Sequence, residues 1–379
     1  MRSSSTFNSH YKVKLRFKIT IIIMRRLWMK YRLFSLSCFA LCCIVGNAHA
    51  QSSVTLYGSI DTGLLFQSKT ADDHGKAFGT LSSGLWPTWW GITGSEDIGD
   101  GTKVIFKLES GFSSNTGGIG DSNGNFWGRQ AYVGVGSRFG TLKAGLQISS
   151  FYESIVMADP RGNALFFAGS VSPYVTAFGL NGAFESNAVV YDSPTFAGLS
   201  FSLEYAFGNV AGNTTAGSHE VASVNYKNGP FTATASYFAA KDSETGASTY
   251  HGQNVGAGYS IGPVTVKVAY QKYRNMSTDA PLTNLNVYEA GADWNITPAL
   301  TANAAMYVTR DRNVSANRSM MYGSGLSYAL SKRTVIYGQV GYVNNEAAMN
   351  TVLAIDASPS FAIAKGGTVA VDVGIRHNF

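Results

Sequence analysis

Beyond residue 50 the chain has no cysteine. Disulfides therefore hold none of that part together, and thiol chemistry is excluded. Proline is scarce, nine in 379 residues, and no stretch has the composition of an interdomain linker. Charged residues make up only 14%. After residue 50 no apolar run is long enough to cross a bilayer as a helix. Four histidines remain there, His74, His219, His251 and His377, none at metal-ligand spacing from another. No nucleophile elbow or phosphate-binding loop is present. Asp72-Asp73-His74 reads as an exposed acidic loop. Asp121-Ser122-Asn123-Gly124-Asn125 begins like a calcium loop but lacks the distal glutamate. No metal or cofactor is expected.

The first 50 residues read as an N-terminal extension followed by a cleaved export signal. Arg25, Arg26, Lys30 and Arg32 give a positive n-region. Leu33 to Val45 gives a short apolar core, and Ala48-His49-Ala50 fits small-x-small cleavage before Gln51. Met24 and Met29 are alternative starts. Cys38, Cys42 and Cys43 lie in this segment without a convincing lipobox. The formal charge of +6 also originates here. Nine of the 29 basic residues precede residue 51 and no acid does, leaving 20 bases against 23 acids. Nucleic acid is thus not an expected partner. An exported chain this long without disulfides needs another source of rigidity, and a closed ring of hydrogen-bonded strands supplies one.

The end of the chain carries the clearest pattern. In Val369–Phe379, Val369, Val371, Val373, Ile375 and Phe379 share one parity. Ala370, Asp372, Gly374, Arg376 and Asn378 share the other. This is a strand with one apolar and one wet face, ending on an aromatic residue. Similar amphipathic segments of about ten residues begin near Ser53, Leu85, Thr102, Phe126, Thr141, Ser186, Leu199, Glu220, Phe231, Tyr250, Val264, Asn286, Leu300, Arg318, Arg333 and Gly366. Short Gly-, Pro- and Asn-containing turns alternate with longer loops, of which 150–184 is the longest. The prediction for residues 51–379 is an all-β, antiparallel transmembrane barrel of sixteen strands, wide enough for an aqueous lumen.

Several ordered motifs point to a family. They are Ser53-Val54-Thr55-Leu56-Tyr57-Gly58-Ser59-Ile60-Asp61, Gly94-Ser95-Glu96-Asp97-Ile98-Gly99, Leu108-Glu109-Ser110-Gly111-Phe112, Gly128-Arg129-Gln130-Ala131-Tyr132-Val133-Gly134, Tyr191-Asp192-Ser193-Pro194-Thr195-Phe196-Ala197-Gly198, and the ending with Gly374, Arg376, His377 and Phe379. Together they resemble the Gram-negative outer-membrane general porins of β-proteobacterial type. The resemblance implies passive diffusion of small hydrophilic solutes, a homotrimer embedded among outer-membrane lipid and lipopolysaccharide, and a third loop folded into the lumen. Glycines such as Gly58, Gly63, Gly134 and Gly145 are expected to allow close approach between barrels. Two other functions fit a barrel: an outer-membrane protease or phospholipase, or a structural or adhesive barrel.

In such porins the resemblance implies an arginine ladder on the wall facing acids on the inward loop, with a transverse field that sorts solutes. Arg129 keeps its place. Trp89, Leu146 and Phe184 stand where arginines are common. The expected constriction therefore comprises Arg129, Lys107 and Lys143 on the wall, Arg161 on the loop, the acids Glu109, Glu153 and Asp159, and Trp89. Trp86, Trp89 and Trp90 would form a stacking surface. Weak charge selectivity follows from the missing arginines. Phe379 is expected to serve barrel closure and assembly.

Overall fold

The computed structural model describes residues 53–379 apart from 72–74, 163, 165, 167–168, 178–182, 277–282, 356–360 and 362–364. The expected signal and Asp72-Asp73-His74 lie outside the described residues. The strands are β1 (Ser53–Gln67), β2 (Ala77–Ser82), β3 (Trp89–Gly99), β4 (Thr102–Gly111), β5 (Gln130–Ser137), β6 (Gly140–Ile148), β7 (Phe184–Asp192), β8 (Leu199–Ala206), β9 (His219–Asn228), β10 (Phe231–Lys241), β11 (Ser248–Ile261), β12 (Val264–Asn275), β13 (Thr283–Asn295), β14 (Leu300–Asp311), β15 (Arg318–Ala329), β16 (Thr334–Glu346) and β17 (Gly366–Asn378). Helices α1 (Ser150–Ala158) and α2 (Val171–Ala177) lie between β6 and β7.

All strand pairs are antiparallel, and β17 returns to pair with β1 from Ser59↔Asn378 to Gln67↔Ala370. Closure leaves no free sheet edge. On its other side β1 pairs with β2 over Thr62–Gln67 and with β3 over Ser53–Ser59. β2 and β3 are thus two halves of one stave, and the barrel has sixteen staves. The sequence predicts an unbroken second strand from near Leu85. Instead the chain leaves the wall between Ser83 and Thr88. The cause is Asp61 on β1. Its carboxylate accepts the backbone N–H groups of Gly84, Leu85 and Trp86 at 3.2, 3.1 and 2.9 Å, and the Tyr337 hydroxyl at 2.5 Å. A buried carboxylate needs such donors, and a regular strand would direct those amides elsewhere. The fourth wall strand begins at Gln130 rather than near Phe126.

Alternation places apolar side chains on one face throughout. Val266 and Val268 on β12, Leu326 on β15, Val340 on β16 and Val371, Val373 and Ile375 on β17 are all exposed. In water so large an apolar surface would drive aggregation, whereas in lipid it is the favoured boundary. Tyrosines and tryptophans flank the band on both sides, such as Tyr270 and Tyr288, whose rings lie 5.3 Å apart, toward the long loops and Trp294 and Tyr328 toward the turns. No described helix is long and apolar enough to cross a membrane.

The packed core lies on the opposite, lumen-side face. There α1 rests on β8–β12. Phe151, Ile155, Val171 and Tyr174 pack with Val221, Phe238, Tyr273 and Val287 of the wall. A second cluster joins Phe166 and Leu353 to Leu65, Leu81, Tyr307 and Val343. Two of the glycines expected to let barrels approach one another are also close to this chain's own backbone. A Cβ on Gly63 would meet Val373 O at 2.9 Å, and one on Gly134 would meet Leu142 O at 2.8 Å.

Candidate functional site

The loop between β6 and β7 is fastened along its length. Ser149 caps α1, its hydroxyl accepting the Phe151 N–H at 3.3 Å. Glu204 on β8 accepts the Ser150 N–H at 2.7 Å, so a carboxylate sits at the positive end of the helix. Midway, the Ser154 hydroxyl meets Thr234 and Asn254, both at 2.8 Å. Beyond the helix, Asp159 accepts the Tyr307 hydroxyl at 2.8 Å, and its backbone carbonyl accepts Lys267 Nζ at 3.0 Å. Arg161 donates to Asn303 on β14, Gln339 on β16 and the Phe166 carbonyl, at 2.9, 2.7 and 2.8 Å. The Phe166 N–H then reaches the Gly84 carbonyl at 2.9 Å, inside the break of the second stave. From β8 round to β2, the loop is thus tied to the inner wall.

The facing wall, β3–β7, carries the charged cluster. Glu109 is buried and accepts the Tyr57 hydroxyl at 2.6 Å and the Gln130 amide at 2.7 Å. Lys107 Nζ and Arg129 Nε each stand 3.8 Å from it. Arg129 is buried as well. Its guanidinium pairs with Asp121 and lies 5.8 Å from the Trp89 ring and 5.2 Å from the Phe184 ring. Burial pushes the Asp121 carboxyl up, and Arg129 pulls it back down. Lys143 pairs with Asp192 at 2.8 Å and stands over the Tyr132 ring. Glu153, on α1, keeps contact with water although the barrel surrounds it. Burial raises its carboxyl above the ordinary range, opposed by Lys143 and Lys107.

The eight residues proposed from sequence thus divide. Lys107, Lys143 and Glu153 keep contact with water and interact electrostatically. Glu109 and Arg129 form a buried root beneath them. Asp159 and Arg161 fasten the loop to the far wall. Trp89 packs edge-on against Tyr57 at 4.9 Å and flanks Arg129. Two expectations fail. Leu146 shares the outward parity of the exposed Leu142, and Gln147 is the buried, inward residue. A register shift between Gly145 and Gln147, with Gly145 at φ +134°, marks a bulge at this point. The tryptophans form no common surface, because Trp90 takes the outward parity and packs on Phe126 and Trp127 at 6.0 and 5.2 Å. Asp61, Asp121, Asp192, Glu204 and Lys267 were missed. Asp61, Glu204 and Lys267 did leave a signal, a charged residue on the wet parity within a strand whose other face is apolar.

A family model for Gram-negative porins matches residues 37–348. An outer membrane porin protein of Bordetella pertussis is 28% identical over 388 residues, spanning 88% of this chain and 96% of that protein. Outer membrane porin protein 32 of Delftia acidovorans is 28% identical over 363 residues, spanning 91% and 99%. Among solved structures, the anion-selective porin from Comamonas acidovorans has a TM-score of 0.72 at 23% identity, covering 87% of this chain and all of that one. The trimer form of OmpT from Vibrio cholerae has a TM-score of 0.64 at 16% identity, covering 86% and 99%. At those identities the superpositions speak for the fold, and the family match extends it to function. A sixteen-stave barrel with a lipid-facing apolar band and a charged interior is therefore what its relatives are: the chain belongs to the Gram-negative porins, the channel-forming proteins of the outer membrane.

Proposed function

We propose that small hydrophilic solutes and ions diffuse through a constriction bounded by Glu153 on the loop and by Lys107 and Lys143 on the facing wall. The observation that carries this reading is that these three residues alone of the eight combine contact with water and mutual electrostatic interaction. Charge preference is weak, because each wall cation already has a carboxylate beside it: Glu109 for Lys107, Asp192 for Lys143, Asp121 for the buried Arg129. At an effective dielectric of about 20 to 80, a unit charge about 5 Å from an ion is worth roughly 1 to 3 kcal/mol before screening. In a planar bilayer under a salt gradient, Lys107→Ala and Lys143→Ala should each move the reversal potential toward cations, and Glu153→Gln toward anions. Unchanged selectivity in all three would place the constriction elsewhere.

Assembly as a homotrimer belongs to the same proposal. It is supported by the trimeric relative and by the outward aromatic cluster of Trp90, Phe126 and Trp127 beside the exposed Val54 and Leu56. Conductance steps arriving in threes and a three-protomer mass in mild detergent are the expected results. A monomer alone would refute it.

A further inference from the structure

The break in the second stave builds a second inward feature. In an unbroken wall the backbone of Asp61 would pair with that stave. Here the Thr88 hydroxyl takes over, accepting the Asp61 N–H at 3.0 Å and donating to its carbonyl at 2.9 Å. Residues 84–87 arch over the lumen side of β1, where the N–H groups of Gly84, Leu85 and Trp86 converge on the inward carboxylate of Asp61. Gly84 fixes the near end. Its carbonyl accepts Gln339 Nε2 at 3.2 Å, and a Cβ there would run into the Asp372 carboxylate and the Tyr337 hydroxyl. The arch thus rests on β1, β16 and β17, whereas α1 rests on β8–β12.

Gly84, Pro87 and Thr88 are buried, while Leu85 and Trp86, at the top of the arch, keep contact with water. Apolar surface facing water inside the passage is unfavourably hydrated, and a solute with an apolar face relieves that. The charged stretch lies further in. Tyr57 is on the same face of β1 as Asp61 and about 13 Å along the strand toward the turns. Lys107 Nζ stands 5.9 Å from the Tyr57 ring, and Lys143 Nζ stands 5.6 Å from the ring of Tyr132, the cross-strand partner of Lys107. A solute entering from the long-loop end meets the arch first. It then meets a stretch that offers both signs of charge, Lys107 with Glu109, Lys143 with Asp192, and Glu153 from the loop.

We propose that Trp86, seated on the arch with Leu85, is a specificity-determining residue that stacks the rings of aromatic amino acids on their way to the charged stretch. The indole supplies a broad aromatic face, and offset stacking on it favours a ring over a saturated group of the same size. The ammonium of such a solute suits Glu153, and its carboxylate suits Lys107 and Lys143. A zwitterion has no net charge, which fits a passage whose cations are already paired. Because backbone hydrogen bonds hold the arch in place, little ordering entropy is lost when a ring settles on it. The proposal rests on the reading of this lumen as the diffusion path. The reversal potentials that test the constriction do not enter the comparison below, so the two readings fail separately.

The test is single-channel recording at neutral pH with phenylalanine, cyclohexylalanine or alanine added on the long-loop side. The three carry the same charges, and the first two differ in little but the aromatic face. In wild type, current interruptions by phenylalanine should last at least about threefold longer than those by cyclohexylalanine, and alanine should cause none. Trp86→Ala should remove the difference and Trp86→Tyr should keep it, with folding checked by resistance to unfolding in detergent. Equal interruptions by phenylalanine and cyclohexylalanine in wild type overturn the proposal whatever the variants do, so the result survives a variant that fails to fold. A folded Trp86→Ala channel that keeps the wild-type difference also overturns it, assigning the retention to Tyr57 and Tyr132.

Discussion

Glu153 is the carboxylate of the loop whose charge can follow the pH of the medium. Its carboxyl is raised by burial inside the barrel, with Lys143 and Lys107 acting against the rise. Above its titration it is negative; below, neutral. Acidification therefore removes one negative charge from the passage at a pH above the ordinary glutamate value of about 4.3. The reversal potential should move toward anions across that step, and Glu153→Gln should abolish the step while adopting the acidic value at neutral pH. A full step persisting in Glu153→Gln would assign it to another carboxylate. The same scale explains what could be read from sequence. Parity alone placed Lys107, Glu109 and Lys143 on the wet face, because alternation is a strictly local property. It could not reveal that Arg129 would be enclosed by Asp121, Trp89 and Phe184, since that depends on how the loop before β5 folds back. Leu146 was misplaced because a match to family motifs tolerates a shift of one residue, and one residue reverses the face.

At the scale of elements, all sixteen staves were legible, and apart from the second and fourth their starts agree within three residues, because turn residues and period-2 patterning are local signals. The break at Ser83–Thr88 was not legible, since its cause is a carboxylate on the neighbouring strand. The loop was legible as a long insertion but not as a fastened one. Its anchors, Asn303 and Gln339, lie 142 and 178 residues from Arg161. Charge-assisted hydrogen bonds are worth about 1.5–3 kcal/mol each, so Arg161 is the strongest single tie on this stretch. Arg161→Ala should leave the barrel folded, judged by resistance to unfolding in detergent at room temperature, and should increase current fluctuation in the open channel several-fold. A quiet channel would show that α1 and its apolar cluster suffice to hold the loop.

For the whole molecule, closure concentrates at the last residue. Phe379 exchanges backbone hydrogen bonds with Gly58 at 3.1 and 3.2 Å, and a Cβ on Gly58 would lie 2.6 Å from the Phe379 ring. The ring itself is exposed at the lipid boundary, at the seam of the barrel. Phe379→Ala should therefore reduce the folded fraction recovered from outer membranes by several-fold while surviving channels keep the wild-type conductance. Normal recovery with altered conductance would reverse that assignment.

The route of the loop has a consequence for the order of events during biogenesis. Among its resting places, Gly84 and Gln339 stand on opposite sides of the seam between β17 and β1, and they come together only after the last strand has met the first. Contacts of such sequence separation form late, since chain entropy must be overcome before they repay it. The ring is then complete before its obstruction is in place, and a newly inserted barrel passes through a stage in which it is an unguarded hole. Recordings that follow single insertions should open at a higher current and settle in one downward step. The cell must tolerate or mask that brief leak each time a copy is made.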